Sequence, residues 1–212
     1  ATKTFSEKKK RGKLCLMGDS HFGRVHSNAP IYEDLFGFTS NYSSWFFVVD
    51  GFLPRKISWC SDWIQENEEG TINRGSAVIS FGSHSPTSSM RNAHDFVKLA
   101  AESMKKSRID CLIISSPVDP CHENIPEKFG LSQRVSRNSW RSAARNEALQ
   151  QAVEEERTKA DAANIHFLDL FSPSVALHFG HCEGGDPIHW HRGTFYEEHT
   201  KMIYAAAHDL CV

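Results

Sequence analysis

Lys13-Leu14-Cys15-Leu16-Met17-Gly18-Asp19-Ser20-His21 is the stretch on which the reading of the fold turns. Residues 13–17 form a short apolar run, the pattern of a strand covered on both faces. Gly18-Asp19-Ser20 follows at once, and residues 20–36 then carry a helical pattern that Pro30 breaks or restarts. Outward from there, strand and helix patterns alternate. Residues 45–49, aromatic and β-branched, read as a strand, as do 76–81, 110–115 and 165–168. Residues 91–105 set Phe96, Leu99, Ala100 and Met104 on one helical face. Asn138 is placed to cap a long helix running to residue 160, and residues 195–210 read as a terminal helix. The expected fold is a three-layer, flavodoxin-like α/β fold. It has five parallel strands, helices on both faces and a site at the strands' carboxyl ends.

The 212 residues fit one domain, with residues 1–12 expected as a flexible flank. A formal net charge of -2 gives no global pull towards nucleic acid or an anionic membrane. The basic run Lys8-Lys9-Lys10-Arg11 is short and reads as a solvated flank. No apolar run approaches the roughly 20 residues of a membrane helix, so stable membrane insertion of this domain is not expected. Cys15 and Cys111 lie inside apolar runs and read as buried free thiols. Cys60, Cys121, Cys182 and Cys211 read as loop or terminal cysteines open to disulfide formation, with at least one bridge expected to involve Cys121 or Cys182. With the glycosylation sequon Asn41-Tyr42-Ser43, they favour a secretory lumen or the extracellular space; the cytoplasm is the alternative.

Three motifs carry chemistry. A serine at a strand-to-helix turn is exposed on a rigid element, beside backbone N–H groups that can hold an oxyanion. Ser20 has that position, although Asp19 or Ser20 as a mere helix cap is the plainer reading of the same residues. In Asp186-Pro187-Ile188-His189, a carboxylate three residues before an imidazole can orient it and balance its charge. Phe81-Gly82-Ser83-His84-Ser85 closes another strand; Gly82 allows close backbone approach, and His84 or Ser83 can donate to an oxyanion. Arg24, four residues after Ser20, either faces a substrate or pairs with Glu33 or Asp34. Arg141 and Arg145 read as helix-surface or ion-pair residues, and Trp190 as a stacking platform for a sugar or a core cover. A competing reading gathers His178, His181, Cys182, Asp186, His189 and His191 as zinc ligands; their spacing matches no firm zinc signature, and no metal or other cofactor is expected.

Taken in order, the Gly-Asp-Ser-His turn, the Phe-Gly-Ser-His strand end and the Asp-x-x-His near the terminus resemble the SGNH (GDSL-like) hydrolase superfamily. The Gly-Asp-Ser-His opening and the Phe-Gly-Ser-His strand end resemble its divergent glycan O-acyl branch of PC-esterase-like, NXPE-like and trichome-birefringence-like proteins. That resemblance implies ester chemistry on O-acyl groups, often on sugars. Ser20 would be nucleophile, His189 general base and Asp186 its partner. Ser20, Gly51 and Gly82 would supply oxyanion donors. The third-block asparagine is missing, and His84 stands near its place. A serine esterase on O-acetylated carbohydrate is the leading expectation, with a glycan O-acyltransferase using the same triad as the alternative. A non-catalytic glycan-binding module is a further alternative. The expected partner is an acylated small molecule or glycan, and the chain is expected to act as a monomer.

Overall fold

A strand that is apolar at every position needs cover on both faces, and the central strands of this chain obtain it. The computed structural model describes residues 12–44, 52–65, 75–80, 90–118, 139–176 and 193–211. Its described strands are β1 (Gly12–Gly18), β2 (Phe38–Ser44), β3 (Gly75–Ser80), β4 (Ile109–Ser115) and β5 (Ile165–Leu168). They make one five-stranded sheet in the order β2-β1-β3-β4-β5. All four pairings are parallel. The described helices are α1 (Ser20–Ser27), α2 (Ala29–Phe36), α3 (Phe52–Gln65), α4 (Met90–Met104), α5 (Ser139–Arg157), α6 (Phe171–Ala176) and α7 (Thr194–Cys211). This is the expected doubly covered, flavodoxin-like order; open sheets of this kind generally bind ligands beyond the strands' carboxyl ends.

Side-chain parity divides the core. Leu14, Leu16, Val78 and Ile113 face one layer with Phe22, Val25, Phe195, Tyr196, Ile203 and Tyr204. Cys15, Met17, Ala77, Ile79, Leu112 and Ile114 face the other with Ile57, Ile64, Phe96 and Leu149. Pro30 falls in the first turn of α2, where its missing N–H costs nothing. Gly37, at φ 72°, ends that helix in the left-handed conformation and releases the chain directly into β2.

That early release adds a strand that the sequence reading did not include. The described second strand occupies Phe38–Ser44, a segment that shows no strand pattern in the sequence; the strand expected at 45–49 lies outside the described residues. β2 is an edge strand with only Phe38 and Ser43 buried, so it needs no apolar run and shows none.

The cysteines also require correction. Cys15 and Cys111 are not free thiols: they form disulfides with Cys60 and Cys211. Parity explains both pairings. Cys15 faces the layer that contains α3, so it meets Cys60 on that helix rather than on a loop. Cys111 shares the parity of Ile113 and meets the last turn of α7. Cys121 and Cys182 lie outside the described residues. Arg145 departs from its surface expectation, since it is buried at 5% exposure on α5.

Candidate functional site

β1 passes into α1 through two residues. Gly18 ends the strand where a Cβ would fall 2.6 Å from Cγ of Phe22, a core residue of α1. Any other residue would therefore push the helix off the sheet. Asp19 is extended (φ -80°, ψ -163°) and caps α1, its Oδ1 accepting from the His21 N–H at 2.9 Å. The cap reading of Asp19 is thus correct, and it leaves Ser20 as the first residue of the helix, half-buried at the carboxyl edge of the sheet. The cap does not compete with the role expected of Ser20, because the Asp19 side chain makes it.

The Asp19 carbonyl is held twice. It accepts the first helical bond from the Gly23 N–H at 3.1 Å and a second bond from the Tyr42 hydroxyl at 2.7 Å. The same hydroxyl reaches the Gly18 carbonyl at 3.2 Å. Tyr42 comes from the neighbouring strand, where Leu16 pairs with it in register. Burial pushes its hydroxyl up to about 12, with the Asp19 carboxylate adding to the shift, so it stays a protonated donor.

On the other side, α1 is locked to the start of α7. The His21 ring is buried and lies 5.1 Å from the Tyr196 ring and 5.8 Å from that of Phe195, centroid to centroid. Its Nε2 meets Nδ1 of His199 at 3.1 Å. Burial pushes His199 down to about 4, which keeps that imidazole neutral at neutral pH. Thr200 adds a bond from its hydroxyl to the Val25 carbonyl at 3.1 Å. Arg24, one turn after Ser20, lays its guanidinium over the Tyr196 ring at 5.6 Å. Glu33, one of its suggested partners, accepts instead from the Ser40 N–H and hydroxyl.

Of the predicted site residues, Ser20 and Arg24 are described, and α1 carries both. Asp186, His189, Trp190 and His191 lie outside the described residues, as do Gly51, Gly82, Ser83 and His84. The zinc candidates His178, His181 and Cys182 lie outside them too. Among the described residues no group of three or more His, Cys, Asp or Glu side chains could hold a metal ion. Tyr42, His21 and His199 were not legible as site residues. His21 had one signal, its place directly after Ser20; Tyr42 lies in a polar strand that carries none.

No family model matches the chain, and no curated protein matches it. Among solved structures, it is similar to the C-terminal catalytic domain of peptidoglycan O-acetyltransferase A from Streptococcus pneumoniae, determined with a methylsulfonyl adduct. The likeness covers 94% of this chain and 93% of that one, at 14% identity and a TM-score of 0.50. At that identity it establishes a shared fold.

Proposed function

We propose that this chain is an SGNH-like serine esterase acting on O-acyl esters, O-acetyl above all, of a carbohydrate. The observation that supports this most is the placement of Ser20. It is the first residue of a helix, at the carboxyl end of a central parallel strand, in a turn held rigidly from both sides. The sequence supplies the partners. His189 stands four residues before Gly193, which leads into α7. Four residues reach at most about 14 Å, and the first turn of α7 packs on His21, the neighbour of Ser20. Gly82 stands two residues beyond the end of β3, which pairs with β1.

In this reading Ser20 Oγ attacks the acyl carbon while His189 takes its proton and Asp186 orients and balances the imidazole. The oxyanion accepts from the Ser20, Gly51 and Gly82 N–H groups and from His84. Collapse expels the sugar oxygen, which takes the proton from His189 and leaves an acyl-Ser20. Water, deprotonated by His189, then attacks the acyl carbon; Ser20 leaves as the hydroxyl and the acid is released. Arg24 and Trp190 contact the sugar. One specific observation favours a second reading, O-acyl transfer, in which a sugar hydroxyl replaces water: the likeness to an O-acetyltransferase domain. Residues 1–212 are proposed as a single catalytic domain, acting as a monomer. Two disulfides fit an oxidising lumen or the extracellular space. No described helix is long and apolar enough to cross a membrane.

The test uses p-nitrophenyl acetate and acetylated oligosaccharide, each with and without acceptor sugar. Ser20→Ala is expected to lose roughly 10⁴–10⁶ in kcat, with the fold intact by circular dichroism. His189→Ala is expected to lose nearly all activity and His191→Ala little, since no acidic residue lies three before His191. A folded Ser20→Ala protein with near-normal turnover would overturn the nucleophile, and the reverse histidine pattern would overturn the base.

A further inference from the structure

We infer that Tyr42 is a positioning residue for this reaction: its hydroxyl fixes the Asp19–Ser20 peptide plane and thereby aims the Ser20 N–H at the oxyanion. The inference rests on the reading of Ser20 as nucleophile. A trans peptide is planar, with its C=O and N–H pointing in opposite directions. Whatever holds the Asp19 oxygen therefore sets the direction of the Ser20 N–H. The described chain has no cis peptide. Two donors hold that oxygen, Gly23 N–H at 3.1 Å along the helix and Tyr42 Oη at 2.7 Å from β2. The helical bond alone leaves a first-turn peptide free to tilt, because helix ends fray. The tyrosine adds a contact from a second element and pins it. The longer arm to the Gly18 carbonyl, 3.2 Å, steadies the preceding peptide in the same way.

The surroundings fit this use. Gly23 lacks a side chain where the hydroxyl passes, and a Cβ there would press on Tyr42 Oη at 3.2 Å. His26 stacks on the Tyr42 ring with centroids 5.8 Å apart and fixes its plane. Helix capping does not require the hydroxyl, since the Asp19 side chain already serves the His21 N–H. A carbonyl that accepts two hydrogen bonds also polarises its own peptide group, which strengthens the N–H as a donor.

Tyr42→Phe removes one oxygen and keeps the ring and its stacking. Removal of a whole oxyanion donor costs roughly 10²–10³ in kcat, so misaiming one is expected to cost roughly 10–100-fold. KM for p-nitrophenyl acetate should stay within about twofold, because the loss falls on the transition state. Methylboronic acid, which adds to a serine oxygen as a tetrahedral anion, should inhibit Tyr42→Phe more weakly by the same factor as the loss in kcat/KM. A matched control is Val153→Ala, a buried truncation on α5; it should lower the melting temperature and leave kcat unchanged. The inference is overturned if Tyr42→Phe keeps wild-type kcat. It is also overturned if its boronate inhibition is unchanged, or if Val153→Ala loses kcat in proportion to its melting temperature. Ser20→Ala separates the two levels. Turnover in that variant would remove the nucleophile reading itself, whereas a dead Ser20→Ala beside a fully active Tyr42→Phe removes only the role of Tyr42.

Discussion

His199 has a consequence that follows from burial alone. It is 1% exposed, and its pKa falls from the ordinary 6.5 to about 4 because the charged imidazole would lose its water. Facing it are His21, whose Nε2 lies 3.1 Å from its Nδ1, and the ring of Phe195. Between pH 6.5 and 4 the unfolded chain takes up a proton at His199 that the folded chain refuses. The contribution of this residue is therefore complete above pH 6.5 and is lost as pH falls towards 4, by on the order of 3 kcal/mol. Urea unfolding at pH 7.5 and pH 4.5 should show that loss in the wild type and a clearly smaller one in His199→Leu. Equal losses in the two proteins would mean that His199 is not buried in its neutral form.

Among the elements, those whose burial produces an apolar signal were legible and those whose burial does not were missed. β1, β3 and β4 are covered strands, and their runs were read within a residue or two of the observed ends; β5, the other edge strand, is mostly half-buried but keeps the apolar residues Ile165, Phe167 and Leu168 that made it legible. β2 lies at the sheet edge with polar residues along its length, so it carries no apolar signal to read. α3 was missed for another reason. Its buried positions, Leu53, Ile57, Cys60 and Ile64, have helical spacing, but polar and aromatic residues between them mask the period. Alternation within β1 and β4 could not show that Cys15 and Cys111 face opposite layers, because that depends on the register through β3, a tertiary fact. The position of Ser20 at the strand-to-helix turn was legible because strand, turn and helix follow one another within nine residues of sequence. Tyr42 was not, because its role depends on pairing between strands. The Cys111–Cys211 bond joins β4 to the end of α7, while His21 and Thr200 lock the beginning of that helix to α1. Replacing both cysteines by alanine should cost roughly 2–4 kcal/mol. The urea midpoint should fall, while activity at 25 °C persists because the first turn of α7 keeps its own contacts. An unchanged midpoint would show that the cross-link contributes nothing to stability.

At the scale of the whole molecule, the core is two apolar layers on one sheet, and Ser20 lies at the carboxyl end of one of its central strands. The two disulfides also divide the chain in a way that packing does not. Cys15–Cys60 and Cys111–Cys211 close two covalent rings that do not overlap in sequence. Ser20 lies inside the first ring, and Asp186 and His189 lie inside the second. Residues 61–110 belong to neither. A protease that cuts once at any bond within residues 16–59 or 112–210 therefore leaves one covalent molecule, and a gel without reductant shows no new band. A single cut within 61–110 leaves Ser20 and the proposed Asp186/His189 pair on two chains that a denaturing gel resolves, reductant or not. Limited proteolysis with mapped cut sites, run with and without reductant, should divide along those boundaries. Release of a fragment by a single cut at 112–210 before reduction would show that the second ring is open. The segment that joins the rings is thus the stretch where a single nick parts Ser20 covalently from the proposed Asp186/His189 pair, so the persistence of the proposed activity under proteolysis would be set there.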